Sequence, residues 1–332
     1  MELAELTTLR LGGPAGRLVE AVTEAEVVEA ARDAALIMAG GSNVVVSDGG
    51  VPGTVLRIAT RGIERDGERL TVAAGEDWDA LVERCVADGL HGFECLSGIP
   101  GSVGATPIQN VGAYGQEVAE TVESVRVYDR ETGRVEDMPA AACGFVYRGS
   151  VFKYRDRRVV LSVTFRMREA AESGPLRYAE LARALGVPVG AGAPLADVRE
   201  AVLALRRRKG MVIDPADPDS VSAGSFFTNP VLEHEAYEAL ARRAAPGHPP
   251  AWPEPDGRVK TSAAWLIEQA GFRRGYGNGR VGISAKHTLA LVNRGGATTA
   301  ELMALAREIA AGVRERFGVA LHPEPVLVGH EW

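Results

Sequence analysis

The chain has 332 residues, 46% of them hydrophobic and 24% charged, and a formal net charge of −7. These proportions exclude a disordered or collagen-like chain, and the length favours two or three domains. The acidic balance argues against a nucleic-acid-binding protein, because binding to a phosphate backbone requires a basic face, although a few local cations can still hold an anionic small molecule in a cleft.

The cysteines, the histidines and the N-terminus narrow the class further. Cys85, Cys95 and Cys143 are odd in number and lack CxxC spacing, so neither a disulfide framework nor a zinc site is expected. The histidines show no HExxH pair, so we expect no catalytic metal. The segment MELAELTT lacks a basic region followed by an apolar core, and no run approaches the ~18 apolar residues of a membrane span. We therefore expect a cytoplasmic protein without membrane contact.

The first predicted elements enclose a pair of glycines. Thr23 and Glu26 are spaced as a capping box that starts a helix. A buried strand over residues 36–39 runs into GGSN, residues 40–43, and a second strand follows over residues 44–47. A Rossmann fingerprint needs GxGxxG between a strand and a helix, and the chain contains no such match.

A glycine-dense segment follows the next helix. Apolar residues share one face over residues 77–88, and Gly89 closes that helix. The stretch SGIPGSVGATPIQNVGAYG, residues 97–115, then predicts a long loop. Glycines permit close approach and backbone amides can cradle phosphates, so we expect this loop to face a ligand.

The middle of the chain is predicted to be rich in strands. Within residues 122–168, the runs SVRVYD, FVYRGSVF and VVLSVTFRM have strand-like composition. A Gly/Ala/Pro-rich interval, residues 186–194, precedes a helix whose apolar face includes Leu195 and Leu205. The acidic, proline-spaced DPADPDS, residues 214–220, indicates a domain boundary.

The last part of the chain alternates helices with short strands. A helix is predicted around residues 262–269, and a longer one over residues 299–317 behind a capping box of Thr298 and Glu301. The segment LHPEPVLVG is predicted to form a final strand.

Three features are candidates for chemistry: Tyr147-Arg148 in FVYRGSVFK, Ser225 in AGSFFTNP, and Glu324 between two prolines. Each also has an ordinary interpretation, namely an amphipathic pair over a core, a strand end closing in a turn, and a solvated turn. Ser225 is not in a GxSxG elbow, so a hydrolase triad is disfavoured and an acid role remains. The basic run at residues 206–209 is either a solvated helix end or an anion site.

Six stretches in order carry a family resemblance: GGSNVVVSD, GIPGSVGATPIQNVGAYGQE, VYRGSVFK, AGSFFTNP, AAWLIEQAGF and LHPEPV. Together they closely resemble the UDP-N-acetylenolpyruvoylglucosamine reductases, flavoenzymes of bacterial cell-wall precursor synthesis. The resemblance spans nearly the whole chain. It implies an α+β fold with two FAD-binding subdomains of the vanillyl-alcohol oxidase type and, in addition, a C-terminal α+β substrate-binding domain.

The resemblance also implies boundaries and ligands. The first FAD subdomain would comprise residues 1–60 and 318–332, and the second residues 61–210 with an insertion at about 170–195. The substrate-binding domain would comprise residues 211–317. Non-covalent FAD would take hydride from NADPH and deliver it to UDP-N-acetylglucosamine enolpyruvate, giving UDP-N-acetylmuramate. We expect a monomer.

Site residues follow from the same resemblance, position by position. The FAD would be held by Gly40, Gly41, Ser42, Asn43, Gly98, Ile99, Pro100, Gly101, Gly104, Ala105, Gln109, Asn110, Gly112, Ala113, Tyr114 and Gly115. The substrate would contact Tyr147, Tyr178, Asn229 and Gln269, and Lys209 would contact its diphosphate or the cofactor. Tyr178 stands in GPLRYAEL, which is similar to the inserted loop of the tyrosine-loop type, although an amphipathic residue at a helix start is the alternative interpretation.

The chemistry of the implied reaction assigns three tasks. Hydride addition to the terminal carbon of the enol ether leaves negative charge on the adjacent carbon and on the carboxylate. Arg148 can donate two hydrogen bonds to that carboxylate, and protonated Glu324 can donate another. Ser225 would supply the proton that the adjacent carbon needs, since a carbanion is basic enough to take it from a well-placed hydroxyl.

Two other functions compete with this interpretation. A flavin oxidase of the same fold would oxidise an alcohol with O₂ and bind flavin covalently through His91 or Cys95. An inactive nucleotide-sugar-binding regulator is disfavoured, because Arg148, Ser225 and Glu324 are all present.

Two departures from the family pattern concern Gly149, after the Tyr-Arg pair, and Pro325, after the glutamate.

Overall fold

The computed structural model describes residues 1–332 and contains seven α-helices. Caps fix the ends of several of them. In order, the helices are α1 Glu24–Ala31, α2 Trp78–Ala87, α3 Ala179–Ala184, α4 Leu195–Arg208, α5 His234–Ala244, α6 Ala263–Gln269 and α7 Thr299–Phe317.

Twenty short strands complete the mixed α+β content, and the longest has nine residues. In order, the strands are β1 Ala15–Ala21, β2 Ala34–Met38, β3 Val44–Val46, β4 Val51–Ile58, β5 Ile63–Asp66, β6 Arg69–Ala73, β7 Leu90–His91, β8 Gly112–Ala113, β9 Gln116–Glu117, β10 Val122–Asp129, β11 Arg134–Pro139, β12 Arg158–Arg166, β13 Arg168–Glu169, β14 Ser222–Ser225, β15 Val231–Leu232, β16 Trp252–Pro253, β17 Val259–Lys260, β18 Val281–Ile283, β19 Ala290–Asn293 and β20 Val326–Val328.

The chain forms two compact units, which we call unit 1 and unit 2. Unit 1 comprises Met1, Ala15–Gly41 and Val51–Val212, and unit 2 comprises Glu2–Pro14, Ser42–Gly50 and Ile213–Trp332. Residues 1–60 are therefore distributed over both units. The three-part division described above stays a prediction.

Unit 1 contains two principal sheets. Strands β1, β4 and β2 form a parallel sheet in that order, and β11, β10, β12, β6 and β5 form an antiparallel one. The core is aromatic at its centre, where Phe93 packs edge-on against both Trp78 and Phe165 with ring centroids 4.9 Å apart in each pair. A smaller apolar cluster lies under α3 and α4 and includes Leu181 and Val202.

Unit 2 is organised around the long helix α7. Its buried residues, among them Leu302, Ile309 and Val313, pack in one apolar cluster with Leu266 of α6 and Phe226. Strands β14, β19 and β18 form one antiparallel sheet, β15, β17 and β16 form another, and β3 pairs in parallel with β20.

Most predicted elements are confirmed, because their end signals form the expected local bonds. The capping boxes of Thr23 with Glu26 and of Thr298 with Glu301 are both present. Helix α2 begins after Asp77, whose side chain accepts from the Ala80 amide, and Gly89 follows it at φ +69°. GGSN joins two strands, β2 and β3, as predicted.

One predicted strand is wrong. The run FVYRGSVF forms a turn, closed by a single antiparallel bridge between Val146 and Gly149. Arg148 adopts φ +53°, which a β-ladder does not accommodate, and side-chain hydrogen bonds hold the segment instead of a neighbouring strand. Its β-branched and aromatic composition favoured a strand, but these tertiary contacts overrode that local preference.

No helix is both long enough and apolar enough to cross a membrane.

Candidate functional site

The two glycine-rich segments of unit 1 touch each other through their backbones. A Cβ added at Gly40 would lie 2.6 Å from the Cα of Gly101, a distance that real Cβ atoms do not reach. Gly101 also has φ +124°, and its carbonyl oxygen accepts from the Trp78 amide at 3.1 Å. Glycine is therefore required at both positions, and no side chain from either covers the surface where the segments meet.

The start of the residue 98–115 loop is fixed by a charged pair that sequence reasoning missed. Asp79, in the first turn of α2, accepts from the Gly98 amide at 2.6 Å. Its two carboxylate oxygens also accept from Arg199 of α4 at 2.6 and 3.1 Å. Burial alone would raise the pKa of Asp79, but the bonds from Arg199 and Gly98 outweigh burial and lower that pKa below its ordinary value.

The donors in this loop fit a dinucleotide such as FAD. Amides in glycine-rich loops bind phosphate oxygens, although in this loop the amides of Gly98, Val103 and Gly104 already donate within the protein. Ser102 adds a hydroxyl that is buried and has no hydrogen-bond partner, the kind of orphaned group that a ligand can satisfy. No group of three or more His, Cys, Asp or Glu side chains could hold a metal ion.

Asn110 serves the loop itself. It is 1% exposed at φ +45°, and its Nδ2 donates to Glu117 at 2.7 Å and to the Val146 carbonyl at 3.2 Å. Its Oδ1 accepts from the Ala119 amide at 3.1 Å. The side chain that was predicted to contact FAD is thus engaged within the protein and ties the loop to the Tyr147-Arg148 turn.

The turn presents Arg148 beside that loop. Arg148 Nη2 donates to the Gly112 carbonyl at 2.7 Å, and its guanidinium lies 5.2 Å from the centre of the Tyr147 ring. Ser150 donates to the Ile108 carbonyl at 2.7 Å, which anchors the turn a second time. A Cβ at Gly112 would approach Arg148 Nη1 to 3.0 Å, so the glycine leaves room for the guanidinium. The structure therefore places Tyr147 and Arg148 beside the predicted FAD loop.

A second cluster in unit 1 contains three predicted site residues. The rings of Tyr114 and Tyr178 meet edge to face at 5.4 Å, and Lys209 Nζ lies 5.7 Å from the Tyr114 ring centre. Lys209 also donates to Glu180 at 2.7 Å. Tyr178 is the residue before α3, so it does stand at a helix start. Burial raises the pKa of Tyr114 to about 12, so its phenol stays protonated at neutral pH.

Arg206 is a further residue that the sequence did not single out from its basic run. It is 9% exposed, and Nη2 donates to the Met211 carbonyl at 2.8 Å while buried Nε has no partner. Burial lowers its pKa, because the charged form is poorly solvated. A helical period of 3.6 residues puts Arg206 beside Val202, on the apolar face, and that spacing is the signal that could have found it.

In unit 2, hydrogen bonds of the main chain bring Ser225 and Glu324 together. Ser225 ends β14, and the Glu324 amide donates to the carbonyl of the next residue, Phe226, at 2.8 Å. Phe227 and Pro323 form an antiparallel bridge beside this bond. The predicted pair therefore lies on two neighbouring segments, and the interpretation of Ser225 as a strand end is also correct.

The surroundings of this pair are apolar on one side. Phe226 and Phe227 are each 1% exposed and meet edge to face at 5.1 Å, so they belong to the core. Asn43 of GGSN adjoins Glu324, since the Val326 amide donates to the Asn43 carbonyl at 3.0 Å. Gly224 has φ +74°, and a Cβ added there would meet no atom within 4 Å, so the approach to Ser225 is open on that side.

Asn229 and Gln269 lie at opposite ends of α6. Asn229 Oδ1 accepts from the amide of Ala263, the first residue of the helix, whereas Gln269 is its last residue and is exposed. A rise of 1.5 Å per residue separates the two ends by about 9 Å. The structure therefore does not bring these two predicted substrate contacts together.

The cysteines are not poised for covalent flavin attachment. All three are free and buried. Burial raises the pKa of Cys95 to about 12, so its thiol does not ionise at neutral pH, and thiolate is the reactive form. Burial raises the pKa values of Cys85 and Cys143 in the same way, to about 12 and about 11 respectively.

Comparison with known families gives two matches along the chain. Residues 15–138 match the FAD binding domain, and residues 215–328 match the C-terminal domain of UDP-N-acetylenolpyruvoylglucosamine reductase. The first match contains the glycine loop and most of unit 1's principal sheets. The second contains Ser225 and Glu324.

Curated relatives and a solved structure agree with these matches. The UDP-N-acetylenolpyruvoylglucosamine reductase of Thermobifida fusca is 56% identical over 98% of this chain and 96% of its own length. That of Salinispora arenicola is 58% identical over 98% and 94%. The crystal structure of the Thermus caldophilus enzyme superposes with a TM-score of 0.69 at 27% identity, covering 99% of this chain and 97% of the other.

These results confirm the predicted α+β fold, with an FAD-binding part and a C-terminal domain of its own type. They also separate the competing functions, since the relatives are named as reductases. The chain belongs to the UDP-N-acetylenolpyruvoylglucosamine reductase family and is an FAD-dependent oxidoreductase.

Proposed function

We propose that Arg148, Ser225 and Glu324 carry the reduction of UDP-N-acetylglucosamine enolpyruvate to UDP-N-acetylmuramate, a step of peptidoglycan precursor synthesis. Family membership supports the reaction. The single observation that carries the residue assignment is the pairing of the Ser225 and Glu324 segments through the Glu324 amide and the Phe226 carbonyl at 2.8 Å. A hydroxyl donor and a carboxyl group on adjoining segments suit protonation of a carbon next to a carboxylate.

The cofactor is FAD, and the hydride donor is NADPH. When bound, FAD accepts hydride from NADPH and passes it to the enolpyruvyl group. We assign its binding to GGSN and the residue 98–115 loop, supported by the contact of Gly40 with Gly101 and by the unpartnered hydroxyl of Ser102. Arg206, buried with an unpartnered Nε, lies in the same unit and supports an anionic ligand there.

Arg148 holds the carboxylate of the enolpyruvyl group. A guanidinium can donate two parallel hydrogen bonds to a carboxylate, and these strengthen as negative charge develops in the transition state. Its contacts with the Gly112 carbonyl and the Tyr147 ring restrict its side chain, which reduces the entropy lost on binding.

Ser225 donates the proton, and Glu324 stabilises the developing charge. The O–H bond of Ser225 breaks as a C–H bond forms at the carbon next to the carboxylate, which leaves a serine alkoxide. Glu324, in its protonated form, donates a hydrogen bond to the carboxylate that carries the developing charge. The buried phenylalanines after Ser225 fix the backbone that carries it. A short side chain on a fixed backbone keeps the donor at the position that the reaction needs.

The remaining assignments concern substrate contacts and context. The proposed substrate-binding residues are Tyr147, Tyr178, Lys209, Asn229 and Gln269, with Lys209 at the diphosphate and Tyr178 closing over the substrate. The clustering of Tyr178 and Lys209 around Tyr114 supports the assignment of these two residues to one part of the substrate site. The protein acts in the cytoplasm as a monomer, with the three-domain division given by the resemblance.

An anaerobic absorbance titration tests the proposal. The FAD-loaded protein should bleach with NADPH and regain its colour with UDP-N-acetylglucosamine enolpyruvate. In Ser225→Ala, we expect bleaching at the normal rate and recovery slowed by about 10³-fold, within the range for loss of a general acid. Ser47→Ala, a change in a turn of the same unit, is the matched control. Normal recovery in Ser225→Ala would remove the serine from the chemistry, and recovery only with oxygen would remove the substrate assignment.

A further inference from the structure

Lys209, which we assign to the substrate's diphosphate, already has an anionic partner within the protein. Its Nζ donates to Glu180 at 2.7 Å. Lys209 caps the C-terminus of α4, and Glu180 lies in the first turn of α3, two residues after Tyr178. Neither side chain is deeply buried, since Lys209 is 27% and Glu180 42% exposed.

The fold does not depend on this ion pair. A pair of this exposure contributes about 0 to 1 kcal/mol to stability. Helix α3 has stronger anchors, because Leu181 and Ala182 are buried in the apolar cluster under α4 and Tyr178 packs against Tyr114. Arg177 adds a further bond, to Glu120 at 3.1 Å. Glu180 is therefore not needed to hold the helix in place.

The charge of Glu180 opposes anion binding at this position. Three arginines precede Lys209 in α4, so the surrounding charges are basic. The pKa of Tyr114 reflects nearby charges of both signs. Burial raises this pKa most, nearby Arg206 and Arg208 lower it, and Glu180 raises it. A diphosphate that binds Lys209 must displace a carboxylate from it and then lie next to that carboxylate, and like charges at short range repel.

We propose that Glu180 occupies Lys209 in the free enzyme and weakens the binding of the UDP-sugar by competing with its diphosphate. The inference rests on the proposed role of Lys209 in substrate binding. Glu180 lies two residues after Tyr178, so the exchange of carboxylate for diphosphate at Lys209 takes place beside that tyrosine.

The test is the KM for UDP-N-acetylglucosamine enolpyruvate in FAD-loaded variants. Glu180→Gln keeps the size of the side chain and removes its charge, so we expect the KM to fall about two- to fivefold with kcat unchanged. Merely structural damage would not improve the KM. The fall should shrink at high salt, since both side chains are partly exposed.

Glu120→Gln is the matched control. Glu120 has the same exposure as Glu180, 42%, and pairs with Arg177 beside Tyr178, so it removes an equal charge from the same neighbourhood. Its KM should equal that of the unchanged enzyme. An equal fall of the KM in both variants would overturn the inference, because the effect would then come from the overall negative charge near the site and not from competition for Lys209.

A double-mutant cycle separates this inference from the function on which it rests. Lys209→Met should raise the KM about tenfold, and adding Glu180→Gln to it should change nothing further. If Lys209→Met raises the KM but Glu180→Gln leaves it unchanged or raises it, only the inference is wrong. If Lys209→Met has no effect, the assigned role of Lys209 and the inference are both wrong.

Discussion

The two units hold their proposed catalytic groups by different means. In unit 1, Arg148 lies on an irregular turn at φ +53° and is fixed at its tip by the Gly112 carbonyl. In unit 2, Ser225 and Glu324 are placed by backbone pairing of neighbouring segments. A long guanidinium has many rotamers and needs contacts along its length, whereas a serine hydroxyl is positioned once its backbone is fixed.

If unit 1 holds its groups through close packing of irregular segments, the glycines at those contacts should be critical. Gly40→Ala should have the largest effect, because the new Cβ would meet the Cα of Gly101 at 2.6 Å and one loop must shift. We expect the dissociation constant for FAD to rise at least 100-fold, on the order of 3 kcal/mol. Flavin fluorescence on titration of FAD into the apoprotein measures it. Gly174→Ala, where a Cβ meets nothing within 4 Å, should bind FAD normally. Unchanged affinity in Gly40→Ala would contradict the assigned loop.

The Asp79–Arg199 pair should have the next largest effect, on stability. Removing one partner of a buried pair costs about 3–5 kcal/mol, and partial exposure of Asp79 (33%) reduces this to about 2 kcal/mol for Asp79→Ala. Urea unfolding of the FAD-free protein measures the change. Asp88→Ala, at the end of the same helix but in an exposed pair with Arg84, is the control and should be nearly neutral.

The pH dependence of that pair has a defined sign. Because the folded-state pKa of Asp79 is lowered, its stabilisation is present above the unfolded pKa of about 3.9 and is lost as pH falls through the folded value. The difference in unfolding free energy between the unchanged protein and Asp79→Asn should therefore be constant from pH 5 to pH 7. It should narrow below about pH 4. A difference that widens in acid would contradict the assignment.

Gly112→Ala tests the anchor of Arg148 with a smaller expected effect. The added Cβ would approach Arg148 Nη1 to 3.0 Å and the Gln116 carbonyl to 3.1 Å, so the guanidinium must move by a few tenths of an ångström. We expect kcat at saturating FAD to fall about tenfold, equivalent to about 1.4 kcal/mol. Stopped-flow reoxidation by substrate measures it. A normal rate would show that Arg148 does not need its tip fixed.

Thr228→Ala should have the smallest effect and completes the comparison. Thr228 Oγ1 reaches the His322 carbonyl at only 3.4 Å, while its amide donates to the same oxygen at 3.1 Å. Alanine keeps the amide bond, so kcat should stay within about twofold. A tenfold loss would mean that side chains, and not the backbone, place Ser225 and Glu324.

Where local signals agree with tertiary structure, the elements could be predicted. Helix α7 begins where the sequence predicts, because the capping box of Thr298 and Glu301 forms, and the structure adds that Gly318 ends the helix in the left-handed conformation. The strand predicted at FVYRGSVF failed because side-chain hydrogen bonds hold it as a turn, among them the bond from the distant Asn110 to the Val146 carbonyl. Propensity describes an isolated segment and does not include such bonds.

The sequence by itself determined the family, the cofactor and the helix ends, since these depend on residue identity and on spacings of a few positions. Only the tertiary structure decided that Asp79 holds Gly98, that Arg206 is buried with an unpartnered Nε, and that Glu180 occupies Lys209. Asp79 and Gly98 are 19 positions apart, and Glu180 and Lys209 are 29 apart. Contacts at such separations form when apolar faces are buried together, so no local pattern specifies them.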